Sequence, residues 1–146
     1  MATAFSQAAL AEAKRAMDKA QVAKDAAAQK LTKAYGDLDA ARDLAAEAFR
    51  ASDQFGNREW SAAYSQVIRA EQSGDKAALV LAKDALAKAT KTRDDLKRDT
   101  ADAYADAEKI NRLCESLASE RDSANKQLVQ AMADYYSMLA LSRQQG

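Results

Sequence analysis

The stretch Gln72-Ser73-Gly74-Asp75 is the clearest helix break in this sequence, and it divides the chain into two arms of about 70 residues. Serine and aspartate can cap helix ends, and glycine readily adopts the left-handed conformation that ends many helices. Both arms are rich in alanine, leucine, lysine, arginine, glutamate and glutamine, which favour helices, and the chain contains no proline. We therefore predict an all-α fold, a long antiparallel helical hairpin that reverses near Gly74.

Small and apolar residues recur with heptad spacing along both arms. In the first arm, every seventh residue from Leu10 to Ala45 forms a mainly apolar column, and alanine occupies each position three residues after it. In the second arm, similar columns begin at Leu79 and Ala82 and continue through about nine heptads. A repeat of this length is typical of a coiled coil. We therefore predict that the two arms pack together along these columns.

Phe55-Gly56-Asn57 is a second, weaker break, and the apolar column changes its spacing there. Beyond this point the column continues at Trp60 and then at every third or fourth residue as far as Ala70. The preferred interpretation is a kink or phase correction near Gly56 within the first arm. The alternative is an elongated three-helix coiled-coil bundle with a full reversal at Gly56. The hairpin is favoured because the segment between the two breaks is too short to pair with such long arms.

The two arms resemble each other in sequence. The pattern between Ala8 and Tyr35 recurs between Ala77 and Tyr104 at an offset of 69, which is not a multiple of seven. The matching residues include leucine, lysine, aspartate and tyrosine as well as alanine. The competing interpretation is a chance alignment of two alanine-rich heptad sequences. We predict one coiled-coil domain, residues 1–146, made of two internal repeats at about 5–74 and 75–146.

The composition argues against several kinds of chemistry. Twenty-two basic and 22 acidic residues give a formal net charge of zero, whereas nucleic-acid binders usually carry an excess of basic residues. There is no histidine, so neither a Ser-His-Asp triad nor a histidine-ligated metal site is available. The single cysteine, Cys114, lies in a heptad column and is predicted to be buried. We predict that the protein is not an enzyme and has no cofactor, metal or nucleic-acid partner.

The sequence contains no segment that resembles a membrane-spanning helix. Its longest uncharged apolar run, Ala77–Ala82, is far shorter than the roughly 20 residues that such a helix needs. No cleavable signal peptide is recognisable at the N-terminus, so we predict a cytoplasmic protein or one exported without a cleaved signal. A peripheral membrane-binding helical protein is a further alternative, and the balanced charge argues against it.

Apolar residues outside the heptad columns are the candidate partner-binding residues. We predict that partners contact two groups of side chains, one near the turn and one near the C-terminus: Trp60, Tyr64, Ile68, Met132, Tyr136 and Leu139. Extra packing inside a three-helix fold is the competing interpretation. The predicted function is that of a non-enzymatic structural or interaction protein, a spacer, scaffold or assembly subunit. It acts through helix–helix packing with copies of itself, as a homo-oligomer, or with a helical partner.

Three family resemblances suggest an alternative function. Lys24–Thr32 and Ala82–Thr90 resemble the coiled-coil region of type III secretion translocators, while Ala34–Arg42 and Asp134–Gly146 resemble the long helices of outer-membrane efflux channels. A long hairpin is also similar to those of periplasmic adaptor proteins. This sequence lacks the strands of the channels and the flanking β domain of the adaptors, and we assign it to none of the three. The resemblances imply a coiled-coil module of a bacterial secretion, efflux or toxin machine.

Overall fold

The fold is the all-α helical hairpin that the sequence predicts. The computed structural model describes the backbone of residues 2–145 and the side chains of residues 7–144, and it contains no strand within that range. Helix α1 spans Ala2–Phe55 and continues through a π-helical turn, Gly56–Trp60, into α2, Ser61–Ser73. After the reversal, α3 spans Lys76–Gln145. Gly146, the predicted end of the second repeat, lies outside the described residues, and the duplication stays a prediction.

The reversal between α2 and α3 uses the capping groups expected from the sequence. Gly74 has a φ of 73°, which is the left-handed conformation. The Asp75 Oδ1 atom accepts hydrogen bonds from the backbone N–H groups of Ala77 and Ala78 at 3.0 and 3.2 Å, so it caps the first turn of α3. The Ser73 hydroxyl donates to a carbonyl three residues earlier at 2.9 Å. Local sequence therefore ends one helix and begins the next.

We expect Gly74→Ala to lower the free energy of unfolding by about 1 kcal/mol, because a side chain disfavours the left-handed conformation. Gly36→Ala is the control, and we expect it to change the free energy of unfolding in the opposite direction. Gly36 lies inside α1, where an added Cβ would meet no atom within 4 Å, so alanine there should raise stability by about 0.5–1 kcal/mol. Chemical denaturation followed by circular dichroism measures both. A Gly74→Ala variant as stable as the parent would contradict the left-handed turn.

The chain forms two compact units. Unit 1 comprises residues 1–36 and 111–146, and unit 2 comprises residues 37–110, including the turn. In unit 1 the buried hydrophobic residues are Leu31, Ala34, Cys114 and Leu128. In unit 2 they are Leu38, Ala45, Val67, Ala70, Ala82 and Ala107. All of these residues belong to the predicted apolar columns, so burial confirms the columns and the predicted position of Cys114.

The π-helical turn accounts for the change of spacing near Gly56. One heptad after Ala45 the first column reaches Ser52, and it resumes at Trp60, an interval of eight residues where a heptad has seven. A π-helical turn accommodates one extra residue, so it returns the column to the face that packs on α3. The Ser61 hydroxyl donates to the Gly56 carbonyl oxygen at 2.8 Å and so supports the wider turn. The break is therefore a phase correction within a continuous helical arm.

The three-helix alternative is wrong in its central feature. It requires the chain to reverse at Gly56, but the residues that flank the π-helical turn are both right-handed helical. Phe55 has φ −61° and ψ −47°, and Ser61 has φ −61° and ψ −39°. Glycine at position 56 has an ordinary negative φ, since the only glycine with a positive φ among the described residues is Gly74. Without a left-handed residue or a cap, nothing turns the chain at this point.

Candidate interaction surfaces

The first three predicted partner-binding residues lie in unit 2, and two of them, Trp60 and Tyr64, form an aromatic pair. The Trp60 ring stacks on Tyr64, with ring centroids 5.4 Å apart and an angle of 14° between the planes. Its indole Nε1 donates to the Thr90 hydroxyl on α3 at 3.0 Å. Trp60 is half-buried, whereas Tyr64 and Ile68 are exposed by 48% and 39%. Trp60 thus anchors α2 on α3, and the outward-facing members of the group are Tyr64 and Ile68.

The other three predicted residues lie in unit 1 and follow one face of α3. Together with Val129 they are spaced by three, four and three residues, which places them along a single side of the helix next to the buried column. Val129, Met132 and Tyr136 are exposed, and Leu139 is half-buried. We call Val129, Met132, Tyr136 and Leu139 the C-terminal stripe. The structure therefore sorts the six predicted residues into two groups of three, one in each unit.

A groove between α1 and α3 in unit 1 was not expected from the sequence. It encloses about 590 Å³ and has mostly apolar walls, to which Ala9, Ala13, Ala16, Ala131, Met138 and Leu141 contribute. Two carboxylates, those of Glu12 and Asp134, also line it. We call this cavity the alanine groove. Four of its lining residues are alanines, of which Ala13 and Ala131 belong to the heptad columns, so the high alanine content of both arms was the available signal for it.

A second cavity, in unit 2, lies beside the π-helical turn and has a different character. It encloses about 510 Å³ and is lined by apolar, polar and charged residues that include Phe49, Asp53, Asn57, Trp60, Arg93 and Lys97. We call it the π-turn pocket. No sequence pattern pointed directly to the pocket. The available signal was Arg93, one of two arginines, with Arg121, in a heptad column of mainly small and apolar side chains.

Arg93 is the least ordinary side chain in the π-turn pocket. Its guanidinium carbon lies 4.2 Å from the centroid of the Trp60 ring, a cation–π contact. Its side chain is only 25% exposed, and its Nε atom is buried without a hydrogen-bond partner. The nearest carboxylate oxygen is that of Asp94, 3.8 Å from Nε, which is too long for a hydrogen bond. A buried, charged donor is therefore held in place by an aromatic ring rather than by an acceptor.

Other kinds of site find no support in the described residues. Residues 2–145 include no cluster of three or more histidine, cysteine, aspartate or glutamate side chains suited to a metal ion. Within the same range, no helix has an apolar stretch long enough to cross a bilayer. No protein-family model, curated protein or solved structure matches this chain. The exposed surfaces themselves are therefore the basis for inferring its function.

Proposed function

We propose that this chain is a non-enzymatic structural or interaction protein that self-associates through the outer faces of its helices and acts as a scaffold or assembly subunit. The observation that carries the proposal is the distribution of apolar side chains. Among the described residues, ten hydrophobic residues are buried, and only four of them are larger than alanine or cysteine. Fifteen large hydrophobic residues are exposed. Much apolar surface thus remains available for packing against another helix.

The C-terminal stripe is the part of this surface best suited to a helical partner. Val129 is 60% exposed and Tyr136 is 54% exposed, on a helix face that runs beside the buried column. An apolar stripe with this spacing is what a helix presents to a second helix. Full burial of an exposed apolar side chain contributes roughly 1.5–3 kcal/mol, and these partly covered side chains contribute a fraction of that each. Several adjacent side chains can therefore outweigh the entropic cost of association.

A second copy of the chain is the partner that the charge supports. With 22 basic and 22 acidic residues, the formal net charge is zero, so two copies do not repel each other through their overall charge. A chain that recognises a strongly charged partner would instead carry a clear excess of the opposite charge. Self-association also adds buried apolar area to a hairpin in which five of the ten buried hydrophobic residues described are alanine. We expect the oligomer to be more stable than the isolated chain.

Sedimentation over a concentration series tests the proposal. We expect an average mass above the 15.8 kDa of one chain, rising with concentration. Met132→Glu combined with Tyr136→Glu should weaken association by at least about tenfold, because two charges would be carried into the apolar contact. A chain that remains monomeric at every concentration would contradict self-association.

A matched control separates the stripe from the rest of the helix. Ala133→Glu combined with Ala140→Glu introduces the same two charges into exposed positions of the same helix, outside the stripe. This variant should associate like the parent chain. Equal weakening by both pairs would show that added charge alone disrupts assembly, and the C-terminal stripe would then not be the interface.

A further inference from the structure

We propose that the π-turn pocket binds a small oxyanion, a carboxylate or a phosphate, through Arg93 and Lys97. The inference goes beyond the proposed scaffold function and does not depend on self-association. It rests on three observations in unit 2: a cavity of about 510 Å³, a cationic pair on its wall, and a buried guanidinium N–H group without an acceptor. The volume lies within the range of known small-molecule sites.

Burying part of the Arg93 guanidinium costs free energy. A charged group that loses water without gaining hydrogen bonds is strongly disfavoured. The cation–π contact with Trp60, at 4.2 Å, offsets part of that cost. It satisfies none of the N–H donors, and the Nε atom remains without a partner. The Nε atom has almost no accessible surface, so an oxyanion in the cavity meets the exposed remainder of the guanidinium, which pairs with carboxylate and phosphate in matching planar geometry.

Two cationic side chains, Arg93 and Lys97, lie in the wall of the pocket. Arg93 and Lys97 lie four residues apart on α3, on the same side of the helix, and both line the cavity. Asp53 is the one carboxylate among the lining residues, so the lining carries one net positive charge. The Asp94 carboxylate, outside the lining, lies 3.8 Å from the Arg93 Nε atom and offsets part of that charge. The chain as a whole has a formal net charge of zero, so the positive charge of the wall is a local feature. Ser52 and Asn57 add a hydroxyl and an amide that can donate further hydrogen bonds.

Hydrogen bonds and ring contacts hold the side chains of the pocket in place. The Trp60 indole is fixed by its hydrogen bond to the Thr90 hydroxyl at 3.0 Å, and Arg93 lies over that ring. The Thr100 hydroxyl, also in the wall, donates to the Leu96 carbonyl oxygen at 2.8 Å. π-Helical turns are frequent at functional sites, and here the turn brings Trp60 onto the face that meets α3. The donors are thus positioned before any ligand arrives.

Trp60 provides the readout, because it is the single tryptophan in the sequence and touches Arg93 directly. Sodium phosphate and sodium acetate are titrated separately against the full chain, with sodium chloride at matched ionic strength as the reference. We expect a saturable change in Trp60 fluorescence and a rise in melting temperature with at least one oxyanion and neither with chloride. The two titrations show whether phosphate or carboxylate binds more tightly. Identical responses to all three salts would overturn the proposal.

Variants connect the response to the pocket. Arg93→Gln should weaken binding by at least about tenfold, as loss of a charge-assisted hydrogen bond does. Lys97 is exposed, so Lys97→Gln leaves the fold intact, and it should weaken binding by about threefold or more. Asp53→Asn should tighten binding, because it removes the one negative charge of the wall. Lys83→Gln, which removes an exposed lysine of α3 outside the pocket, is the control and should bind like the parent chain.

The directions of these changes in affinity show whether Arg93 belongs to a binding site or has only a structural role. If Arg93 only supported Trp60, Lys97→Gln and Asp53→Asn would leave the titration curves unchanged. Wild-type affinity in both of these variants would overturn the proposal even if Arg93→Gln failed to fold. Weaker binding by Lys97→Gln and tighter binding by Asp53→Asn, with the affinity of Lys83→Gln unchanged, would establish the oxyanion site.

Discussion

Ala45→Asp is expected to lower the free energy of unfolding by at least about 3 kcal/mol, the largest single effect that we anticipate. Ala45 has no exposed surface at all, and it is the most buried hydrophobic residue of the described chain. A carboxylate at this position would lose its water and would press apart helices whose close approach depends on alanine. Stabilities of small domains are only about 5–15 kcal/mol, so this substitution removes a large share of the total.

Ala51→Asp is the matched control, because Ala51 is exposed on the same helix within unit 2. We expect it to change the free energy of unfolding by no more than about 0.5 kcal/mol. Urea denaturation of both variants gives the comparison. Equal stability of the two variants would contradict burial at position 45.

The stability of Ala45→Asp should also depend on pH. Burial raises the folded-state pKa of the new carboxyl above its unfolded value of about 3.9. The folded state then binds a proton more readily than the unfolded state between these two pKa values. The loss of stability is therefore largest above the folded-state pKa and becomes smaller as the pH falls towards the unfolded value. Ala51→Asp should show no such recovery, which makes it the control for acid effects on the rest of the chain.

Leu38→Ala is expected to lower the free energy of unfolding by about 2–3 kcal/mol. The Leu38 side chain is 4% exposed and is one of few large groups in the buried columns. Truncation removes its apolar contacts and leaves a cavity that the surrounding helices can close only in part. Thermal and urea unfolding followed by circular dichroism measure the loss.

Leu44→Ala makes the same chemical change six residues further along α1. Leu44 is 62% exposed, so its truncation should cost less than about 0.5 kcal/mol in the isolated chain. The pair therefore tests the assignment of faces rather than the general effect of losing a leucine. A larger cost at Leu44 than at Leu38 would mean that the buried side of α1 has been misassigned.

The sequence predicted the parts of this fold that depend on local pattern. The reversal at Gly74 follows from one glycine and a capping aspartate, each acting on its own backbone neighbours. The buried columns follow from heptad spacing, because residues three and four apart share a helix face. The phase correction near Gly56 could also be predicted, because the change of spacing before Trp60 is a property of a single helix.

At the C-terminal end of the column that begins at Ala82, the heptad spacing no longer predicts which residue is buried. Met138 completes the column that begins at Ala82, yet it is 38% exposed, whereas the neighbouring Leu139 is half-buried. An α-helix has 3.6 residues per turn, so a strict seven-residue repeat drifts around its surface. Which residue then meets the partner helix depends on supercoiling. The prediction of Leu139 as a partner-binding residue remains, with less of its side chain available than expected.

The candidate sites beyond the exposed stripe required the tertiary structure. Trp60 and Arg93 lie on different helices, and their contact at 4.2 Å depends on the register between the two arms. Heptad spacing leaves that register open, because a shift by one heptad keeps every column buried. The helices, their faces and the place of the reversal depend on residues close together in the chain, so all three could be predicted from the sequence. Only packing across the two helices decided which residue faces which, and so formed the alanine groove and the π-turn pocket.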